Sequence, residues 1–403
     1  ELSLNGRLRP VIGALPMVLC AAEAGIKKVI LPQENAAEAA VAEGITVYPA
    51  KTLSEIMAHF LQVERLKPLT VNVDEIFKEQ EAFAPDFSDV KGQESVKRAL
   101  EVAAAGGHNI LLIGSPGSGK TMLAQRLPGI LPRPTLAEAL EITKIHSIAG
   151  LLPSDTPLVT TRPFRSPHHT ISAVGLSGGG QIPRPGEVSL SHNGVLFLDE
   201  LPEFSKNALE VLRQPLEDGV VTISRVNATL TYPCSTMLVA AMNPCKCGYH
   251  GDPVRECTCS DAQIHQYLSR VSGPLLDRID LHVEVPAVPY SDLKNKQPGE
   301  TSAAIRARVN AARERQMQRF SASPGIFCNA QMSARMTEEF CALGKEESAL
   351  MQSVFDHLGL SARAYNRIVK VARTIADLDK SDTIQAAHLA EAIQYRTLDR
   401  KYW

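Results

Sequence analysis

Gly114-Ser115-Pro116-Gly117-Ser118-Gly119-Lys120-Thr121 is a complete phosphate-binding loop in the context that such a loop requires. An apolar strand at 110–113 precedes it, and a helical pattern at 122–127 follows it. The glycines let several backbone N–H groups face one phosphate, and the helix N-terminus adds a partial positive charge. Lys120 then reaches the β- and γ-phosphates, while the Thr121 hydroxyl binds Mg²⁺. The stretch predicts a nucleotide site on a parallel α/β fold.

The composition is that of an ordinary globular protein. The chain has 403 residues, enough for two or three domains, with 44% hydrophobic and 21% charged residues. No apolar run approaches the roughly 18 residues of a membrane span, so we expect no membrane partner. The net charge of −2 excludes a global basic field but leaves room for a local basic patch. The chain begins at Glu1 without Met or a signal-peptide pattern, which indicates part of a longer protein.

Five segments follow from the patterns along the chain. They are a small α/β unit at 1–64, a linker at 65–86, an α/β core at 87–290 with a cysteine-rich insert at 243–260, a connecting helix at 291–325 and a helical lid at 326–403. The 326–403 segment reads as helical throughout, whereas the core alternates strands and helices. No internal repeat or low-complexity tract interrupts this order.

A second apolar strand ends in two acids. Residues 194–198 run directly into Asp199 and Glu200. Because ligands of open α/β sheets bind at the carboxyl ends of the strands, we expect Asp199 in the Mg²⁺ shell. Glu200 is then placed to polarise the attacking water, since phosphoryl transfer depends on positioning and charge stabilisation.

Three further side chains complete the predicted site. A third strand, 236–242, ends at Asn243, whose amide can hydrogen-bond the γ-phosphate or the water. Arg278 follows at the position of an arginine that projects into the site of a neighbouring subunit, with Arg270 as its rival. Arg363 opens a helix of the lid and is predicted to reach the nucleotide from there.

This ordered set resembles an AAA+ ATPase of the branch shared by magnesium-chelatase ATPase subunits and MCM replicative helicases. Residues 165–169 (RSPHH), 186–194 (GEVSLSHNG) and 216–219 (LEDG) resemble magnesium chelatase-like proteins specifically, and above all the bacterial ComM (YifB) family. The resemblance covers roughly 85–403 and implies ATP and Mg²⁺ as cofactors. It assigns the Walker A role to Lys120 and Thr121, Walker B to Asp199 and Glu200, sensor 1 to Asn243, the arginine finger to Arg278 and sensor 2 to Arg363.

The front unit resembles the end of the Lon-protease catalytic domain, through residues 6–15 and 21–32. A Lon-type enzyme uses a serine activated by a lysine. In that family the lysine follows the Gly-x-Leu pattern, but this chain has Pro16, Met17 and Val18 there, and the upstream serine segment is absent. We therefore expect a degenerate, truncated domain with a role in ring assembly and no peptidase activity.

Four of the eight cysteines fall close together, at Cys245, Cys247, Cys257 and Cys259. Thiolates are strong Zn²⁺ ligands, and two pairs separated by a turn can close a tetrahedral site. The Cys-x-Cys spacing is less specific than Cys-x-x-Cys, and four reduced thiols in a loop are the alternative. His250 is a fallback ligand. Cysteines beside a nucleotide motif also indicate a reducing, cytoplasmic location.

Three segments are candidates for contact with nucleic acid. The stretch 219–231 alternates like a hairpin, and Arg225 is its preferred DNA contact because such a hairpin lines the pore of MCM-like rings. Residues 162–181 are a second candidate pore loop. The arginine-rich helix at 301–319 fits a solvated connector better than a DNA-binding helix.

The sequence thus predicts an ATP hydrolase that forms a hexameric ring and moves single-stranded or branched DNA. By resemblance, its role is bidirectional branch migration as a helicase in homologous recombination and natural transformation. Two alternatives remain open: a magnesium-chelatase-type motor and a protein-remodelling ATPase. No motif encodes branched DNA directly, so this part depends on the family likeness.

Overall fold

The computed structural model describes residues 1–79, 85–225, 228–294, 299–323, 325–358 and 361–398. A five-stranded parallel sheet lies at its centre, as predicted for the fold class, and helices follow it towards the C-terminus. Within the described ranges, no helix combines the length and the apolar character that crossing a membrane would take.

The front unit pairs two parallel strands with short helices. Its elements are α1 (Ala14–Glu23), β1 (Lys28–Pro32), α2 (Gln33–Ala39), β2 (Thr46–Ala50), α3 (Leu53–Phe60) and α4 (Val73–Glu79). Its small core contains Leu15, Val18 and Val47, and it continues onto Ala139 and Leu158 of the following segment. A hydrogen bond from the Ser147 hydroxyl to the buried Glu38 carboxylate, at 2.5 Å, joins the same two parts.

The central segment carries most of the strands. Its elements are α5 (Glu94–Gly106), β3 (Ile110–Ile113), α6 (Lys120–Arg126), α7 (Leu136–Ala149), β4 (Phe164–Arg165), α8 (Ala173–Ser177), β5 (Gly178–Gly179), β6 (Arg184–Pro185), α9 (Glu187–Leu190), β7 (Val195–Leu198), α10 (Lys206–Glu210), α11 (Pro215–Asp218), β8 (Val220–Arg225), β9 (Ala228–Pro233), β10 (Met237–Met242), α12 (Asp261–Leu268), α13 (Gly273–Leu276), β11 (Leu281–Glu284) and α14 (Tyr290–Lys294). Short 3₁₀ helices lie at Phe87–Asp89, Leu127–Gly129 and Leu201–Glu203.

The central sheet has the strand order β11-β3-β10-β7-β4, and every neighbouring pair is parallel. All residues of β3, β7 and β10 are buried, which explains their continuous apolar sequences. Alternate side chains point to opposite faces, so Ile110 and Leu112 join one core cluster while Leu111 and Ile113 join the other. Both faces of the sheet are therefore covered, and the ends of the strands are left for ligands.

Helices dominate after the sheet. They are α15 (Ser302–Arg319), α16 (Ala334–Phe340), α17 (Lys345–Leu358), α18 (Ala362–Leu378) and α19 (Ala386–Gln394), with a 3₁₀ helix at Asn329–Gln331. The Thr301 hydroxyl caps α15 by accepting from the Ala304 N–H. The apolar stripe Ile305, Val309 and Ala312 is buried in the core cluster that also contains α5 and α18. These helices thus continue one face of the sheet.

Candidate active site

The phosphate loop and the first Walker B acid meet at the carboxyl edge of the sheet. The Thr121 hydroxyl donates a 2.6 Å hydrogen bond to Asp199 Oδ2. The other oxygen of the same carboxylate accepts from the Glu200 backbone N–H at 2.9 Å. A hydroxyl and a carboxylate side by side are the oxygen donors that Mg²⁺ takes in phosphate sites. The two residues are therefore suitable to hold Mg²⁺ beside a bound phosphate.

Lys120 lies inside the loop. Its Nζ donates to the carbonyls of Gly114 (2.8 Å) and Ser115 (3.0 Å) and to Asn243 Oδ1 (3.2 Å). The residue is only 8% exposed. Burial lowers the pKa of the Lys120 ammonium, although the charges of Asp199 and Glu200 oppose that shift. The described hydrogen-bond acceptors of this ammonium are uncharged, so a phosphate group would give it a directly bound anionic partner.

The loop has the shape of a cradle that side chains would fill. A Cβ atom on Gly114 would lie 2.4 Å from the Val285 carbonyl oxygen and 2.8 Å from Ser118 Oγ. Gly117 and Gly119 have φ values of +79° and +88°, which favour glycine. The buried Ser118 hydroxyl has no hydrogen-bond partner among the described residues. The loop fits a phosphate chain, whose oxygens can accept hydrogen bonds from such groups.

The backbone of Glu200 adopts a strained conformation. Its φ of +53° lies in the left-handed region, which costs about 1 kcal/mol for a residue with a side chain. Its carboxylate lies 3.1 Å from Nδ1 of His169, whose ring stands 4.1 Å, centroid to centroid, from that of His168. The acid expected to polarise water is thus engaged by a histidine from the segment between β4 and α8.

Arg278 and Arg363, the predicted arginine finger and sensor 2, lie at the amino ends of the strands, opposite the phosphate loop. The Asn109 amide, directly before β3, donates to the Arg278 carbonyl oxygen at 2.9 Å, whereas the phosphate loop follows β3. Four strand residues separate these ends by roughly 13 Å. Arg363 lies 4.0 Å from Asp277 and lines the same cavity of about 520 Å³ as Arg278. The structure therefore does not bring Arg363 to the phosphate loop of its own chain, where the sequence analysis expects it.

The rival arginine has a different position. Arg270 forms a 3.0 Å ion pair with Glu203, in the 3₁₀ helix that follows Glu200. Arg278 instead donates to the backbone carbonyls of Arg213 and Pro274 and pairs with Glu217. Arg270 is thus held near the acids of its own chain, whereas Arg278 and Arg363 line the cavity at the amino ends of the strands.

Asp280 is a buried residue in the wall of this cavity. Its carboxylate lies 3.3 Å from His108 Nδ1 and accepts from Arg367 of α18 at 2.6 Å. Burial alone would raise the pKa of the Asp280 carboxyl, but the hydrogen bond from His108 and the charge of Arg367 hold it well below its usual range. This buried group links the strand end beside Arg278 to the helix that carries Arg363.

The four cysteines of the insert form one cluster. Cys245, Cys247 and Cys257 have Sγ–Sγ distances of 3.3, 3.7 and 3.5 Å, and all four sulfurs, Cys259 included, lie within 4.8 Å of one another. Four thiolates around one Zn²⁺ have similar spacings, about 3.8 Å, because each Zn–S bond is about 2.3 Å. Burial opposes ionisation of Cys247, yet N–H groups of Tyr249 and Thr258 lower the pKa of its thiol to about 5. The donor set fits a thiophilic divalent metal.

The structure describes the side chains of some predicted DNA contacts and not of others. The hairpin at 219–231 is present as β8 and β9, and Arg225 pairs in register with Ala228 next to the turn, but its side chain lies outside the part of the chain that the structure describes. In the second candidate loop, Arg162 pairs with Glu138 and Arg165 with Glu187. Those two arginines are thus engaged within the chain.

The arginines of α15 are also engaged. Each has a partner in this chain: Arg306 with the Gly129 carbonyl, Arg308 with Glu101 and Glu300, Arg313 with the Ala104 carbonyl, Arg315 with Asp382 and Arg319 with Asp377. These contacts hold the helix against α5, the 3₁₀ helix at Leu127–Gly129 and the following helices. They favour the connector over a DNA-binding helix.

Sequence reasoning missed three residues at the site: His169, Gly248 and Asp252. His169 stands in the quoted RSPHH stretch, but its contact with Glu200 depends on how the segment after β4 folds back. Gly248 packs against Pro116, and Asp252 lies beside the Ser115 side chain. The positive φ of +88° at Gly248 explains the glycine, yet the sequence shows only a cysteine-rich loop.

The sheet order, the phosphate loop and the Asp-Glu strand end together define the class, an AAA+ ATPase of the magnesium chelatase type. A family model described as "Magnesium chelatase, subunit ChlI" matches residues 86–293. A second, for the ChlI C-terminal part, matches 299–396, and a third, "Subunit ChlI of Mg-chelatase", matches 1–35.

Individual relatives narrow the family. "Uncharacterized protein YifB" of Escherichia coli is 46% identical over 406 residues, which cover 99% of this chain and 77% of that protein. "Competence protein ComM" of Haemophilus influenzae is 45% identical over 409 residues with the same coverage. The "Magnesium-chelatase 67 kDa subunit" of Chlorobaculum parvum is 25% identical over 217 residues, or 52% of this chain and 28% of that protein. The chain belongs to the ComM/YifB family of magnesium chelatase-like AAA+ ATPases, and this membership implies ATP and Mg²⁺ as ligands.

Proposed function

We propose that this protein is an ATP-driven motor that assembles as a hexameric ring and moves branched or single-stranded DNA. In this proposal it is a bidirectional branch-migration helicase of homologous recombination and natural transformation. The name of the similar competence protein ComM supports the link to transformation. The motor class rests on the nucleotide site, and the DNA substrate rests on the family likeness.

The observation that carries the proposal is the separation of the two halves of the site. Lys120, Thr121 and Asp199 gather at the carboxyl edge of the sheet, while Arg278 and Arg363 line a cavity at the amino edge. Two arginines so placed cannot contact a triphosphate in the loop of their own chain. In a head-to-tail ring, the same two arginines face the loop of the next subunit. Hydrolysis then requires assembly.

Each residue has a defined task within that composite site. Lys120 and the loop N–H groups bind the β- and γ-phosphates, and Thr121 and Asp199 hold Mg²⁺, which neutralises charge on the phosphates. Glu200 orients and polarises the attacking water, and Asn243 fixes the γ-phosphate or that water. Arg278 and Arg363 of the neighbour stabilise the charge that develops on the transferred phosphoryl group.

The cysteine cluster is proposed to hold one structural Zn²⁺. Its four sulfurs supply the complete tetrahedral set of a closed site, and Zn²⁺ would there crosslink the insert without redox chemistry. The fallback ligand His250 is not required, since four thiols already converge. The pore-facing roles of Arg225 and of the second candidate pore loop at 162–181 belong to the proposal for DNA contact. Ile182, directly after that loop, is 76% exposed.

The front unit is proposed to serve assembly and not peptide hydrolysis. Pro16, Met17 and Val18 occupy the positions at which the Lon-type enzymes carry their lysine, and all three lie in α1, which packs against α7. Incubation with a fluorogenic peptide should give no turnover above that of a Lys120→Ala control. Turnover that a single substitution in the front unit abolishes would contradict this part.

One experiment separates the motor from its alternatives. ATP hydrolysis is measured without DNA, with single-stranded DNA and with a four-way junction, beside strand displacement from a labelled junction. We expect DNA-stimulated hydrolysis and ATP-dependent displacement, both absent from the Glu200→Gln variant. Unchanged hydrolysis with every DNA and no displacement would overturn the DNA assignment. Stimulation by a partner protein alone would favour the chelatase-type or protein-remodelling alternative, which the similarity to the magnesium-chelatase subunit keeps in view.

A further inference from the structure

The cysteine loop and the phosphate loop touch each other. The cysteine loop, residues 243–260, begins immediately after the strand that ends at Met242. The buried Cys245 lies two residues beyond Asn243. The backbone of Gly248 then lies against the Pro116 ring, so that a Cβ atom on Gly248 would be 2.5 Å from Cδ and 2.6 Å from Cγ of the proline. Real Cβ atoms do not approach so closely, and this contact requires glycine.

A second contact falls four residues further along the same loop. The Asp252 carboxylate lies beside the Ser115 side chain: the backbone N–H groups of Arg255 and Val254 lower the pKa of this carboxyl, and Ser115 adds to that effect. The carboxylate is oriented by the backbone N–H groups of Val254 and Arg255, each of which donates to Oδ1 at 2.9 Å. This turn thus holds Asp252 beside Ser115 of the phosphate loop. Two consecutive loop residues, Ser115 and Pro116, are thus in contact with one short span of the insert.

The cysteine sulfurs in turn contact the span of the insert that contains Gly248. The Gly248 N–H donates to Cys245 Sγ at 3.3 Å and to the Cys245 carbonyl oxygen at 3.0 Å. Cys247 precedes Gly248 in the chain, and Cys257 closes the loop from the far side at 3.5 Å from Cys247. A metal ion bound by the four sulfurs would hold Gly248 and Asp252 in place. Without the metal, the thiols share only weak contacts.

We propose that the four-cysteine loop is a positioning element for the phosphate loop, so that metal occupancy of the cluster and binding of a nucleoside triphosphate are thermodynamically coupled. The inference rests on the proposed metal and nucleotide sites. Gly248 and Asp252 act as positioning residues, since they touch the loop and not the phosphate. Because coupling between two ligands is reciprocal, the bound triphosphate must tighten metal binding by the factor with which the metal tightens triphosphate binding.

The test measures both directions of the coupling on the full chain. Affinity for a fluorescent ATP analogue is measured before and after removal of the metal, and the dissociation constant of Zn²⁺ is measured by competition with a chelator, with and without saturating ATP. We expect metal removal to weaken analogue binding by at least about fivefold and ATP to tighten Zn²⁺ binding by the same factor. Circular dichroism verifies that the metal-free chain stays folded.

Substitutions locate the coupling. Gly248→Ala should keep the metal but weaken analogue binding, and Pro116→Ala, which removes the colliding ring atoms, should restore part of that loss in the double variant relative to Pro116→Ala alone. Gly25→Ala is the matched control, because Gly25 has a similar φ of +84° but nothing within 4 Å of its Cβ position. Asp252→Asn supplies an independent variant with a smaller loss.

The outcomes are distinguishable. Equal analogue affinity with and without metal, or a loss in Gly248→Ala that Pro116→Ala does not relieve, would overturn the coupling while leaving both proposed sites intact. A chain that binds no metal at all would overturn the metal site, and the inference with it. A chain that binds metal but no ATP analogue would overturn the proposed ATPase instead.

Discussion

The Thr121 hydroxyl donates a 2.6 Å hydrogen bond to Asp199, a residue 78 positions further along the chain. Parallel strands bring the two together: β3 and β7 both pair with β10, so the residues that follow their carboxyl ends share one edge of the sheet. In proteins, a hydroxyl and a carboxylate at such an edge are oxygen ligands for Mg²⁺ beside a phosphate. The pair therefore defines where the metal-bound nucleotide is expected.

Removal of the Thr121 hydroxyl should impair Mg²⁺-dependent hydrolysis. Thr121→Val keeps the shape of the side chain but loses the oxygen, so we expect a loss on the order of 10- to 100-fold in apparent Mg²⁺ affinity, measured by titrating Mg²⁺ into the ATPase assay. Thr121→Ser, which retains the oxygen, is the control and should stay close to the parent chain. A valine variant with an unchanged Mg²⁺ titration would remove Thr121 from the metal site.

The cysteine cluster predicts one zinc ion per chain. Cys247→Ser should lower the zinc content measured by atomic absorption, because three thiolates and a hydroxyl form a weaker site than four thiolates. Cys341→Ser is the matched control, since Cys341 is a buried cysteine of the helical region outside the cluster. Equal zinc contents in the two variants, or zinc far below one per chain in the parent, would contradict the assignment.

Asp280 should make stability depend on pH in the acid range. Its pKa is lowered in the folded state by His108 and Arg367 in spite of burial. Stability from this carboxylate is thus complete above the ordinary unfolded value of about 3.9 and is lost as the pH falls towards the folded pKa. We expect Asp280→Asn to cost roughly 3 kcal/mol in denaturant unfolding at pH 7, because it leaves Arg367 without its buried partner.

That cost should shrink as the pH falls below about 4, because the unfolded parent chain then binds a proton that the folded Asp280 carboxylate does not. Asp382→Asn serves as the control, because its partner Arg315 is paired near the surface and an exposed ion pair contributes about 1 kcal/mol or less. A difference between Asp280→Asn and the parent that is constant over this pH range would show that the ionised carboxylate is not the stabilising form.

The sequence predicts the nucleotide half of the site because each residue there directly follows an apolar strand. Asp199 and Asn243 are placed by the strand ends alone, whereas the parallel pairing of β7 with β10 and its register come from the structure. The position of Arg363 cannot be obtained in that way, since it depends on how α18 packs, with Arg367 anchored on Asp280. The contacts of His169 with Glu200 and of Gly248 with Pro116 join loops, for which no periodic pattern specifies the partner.

The central claim is that one active site is built from two subunits, and a mixing experiment tests it most directly. Lys120→Ala lacks the loop ammonium and Arg278→Ala lacks the neighbour's arginine, so each variant alone should be nearly inactive. Arg270→Ala, whose arginine pairs with Glu203 of its own chain, is the control and should stay active. Each variant is first assayed for ATP hydrolysis by itself.

The two inactive variants are then mixed in equal amounts under conditions that allow subunits to exchange. Random assembly leaves about one interface in four with both an intact loop and an intact neighbouring arginine, so we predict recovery to about a quarter of the parent ATPase rate. A mixture no more active than its components, although exchange of labelled subunits is observed, would contradict the shared site.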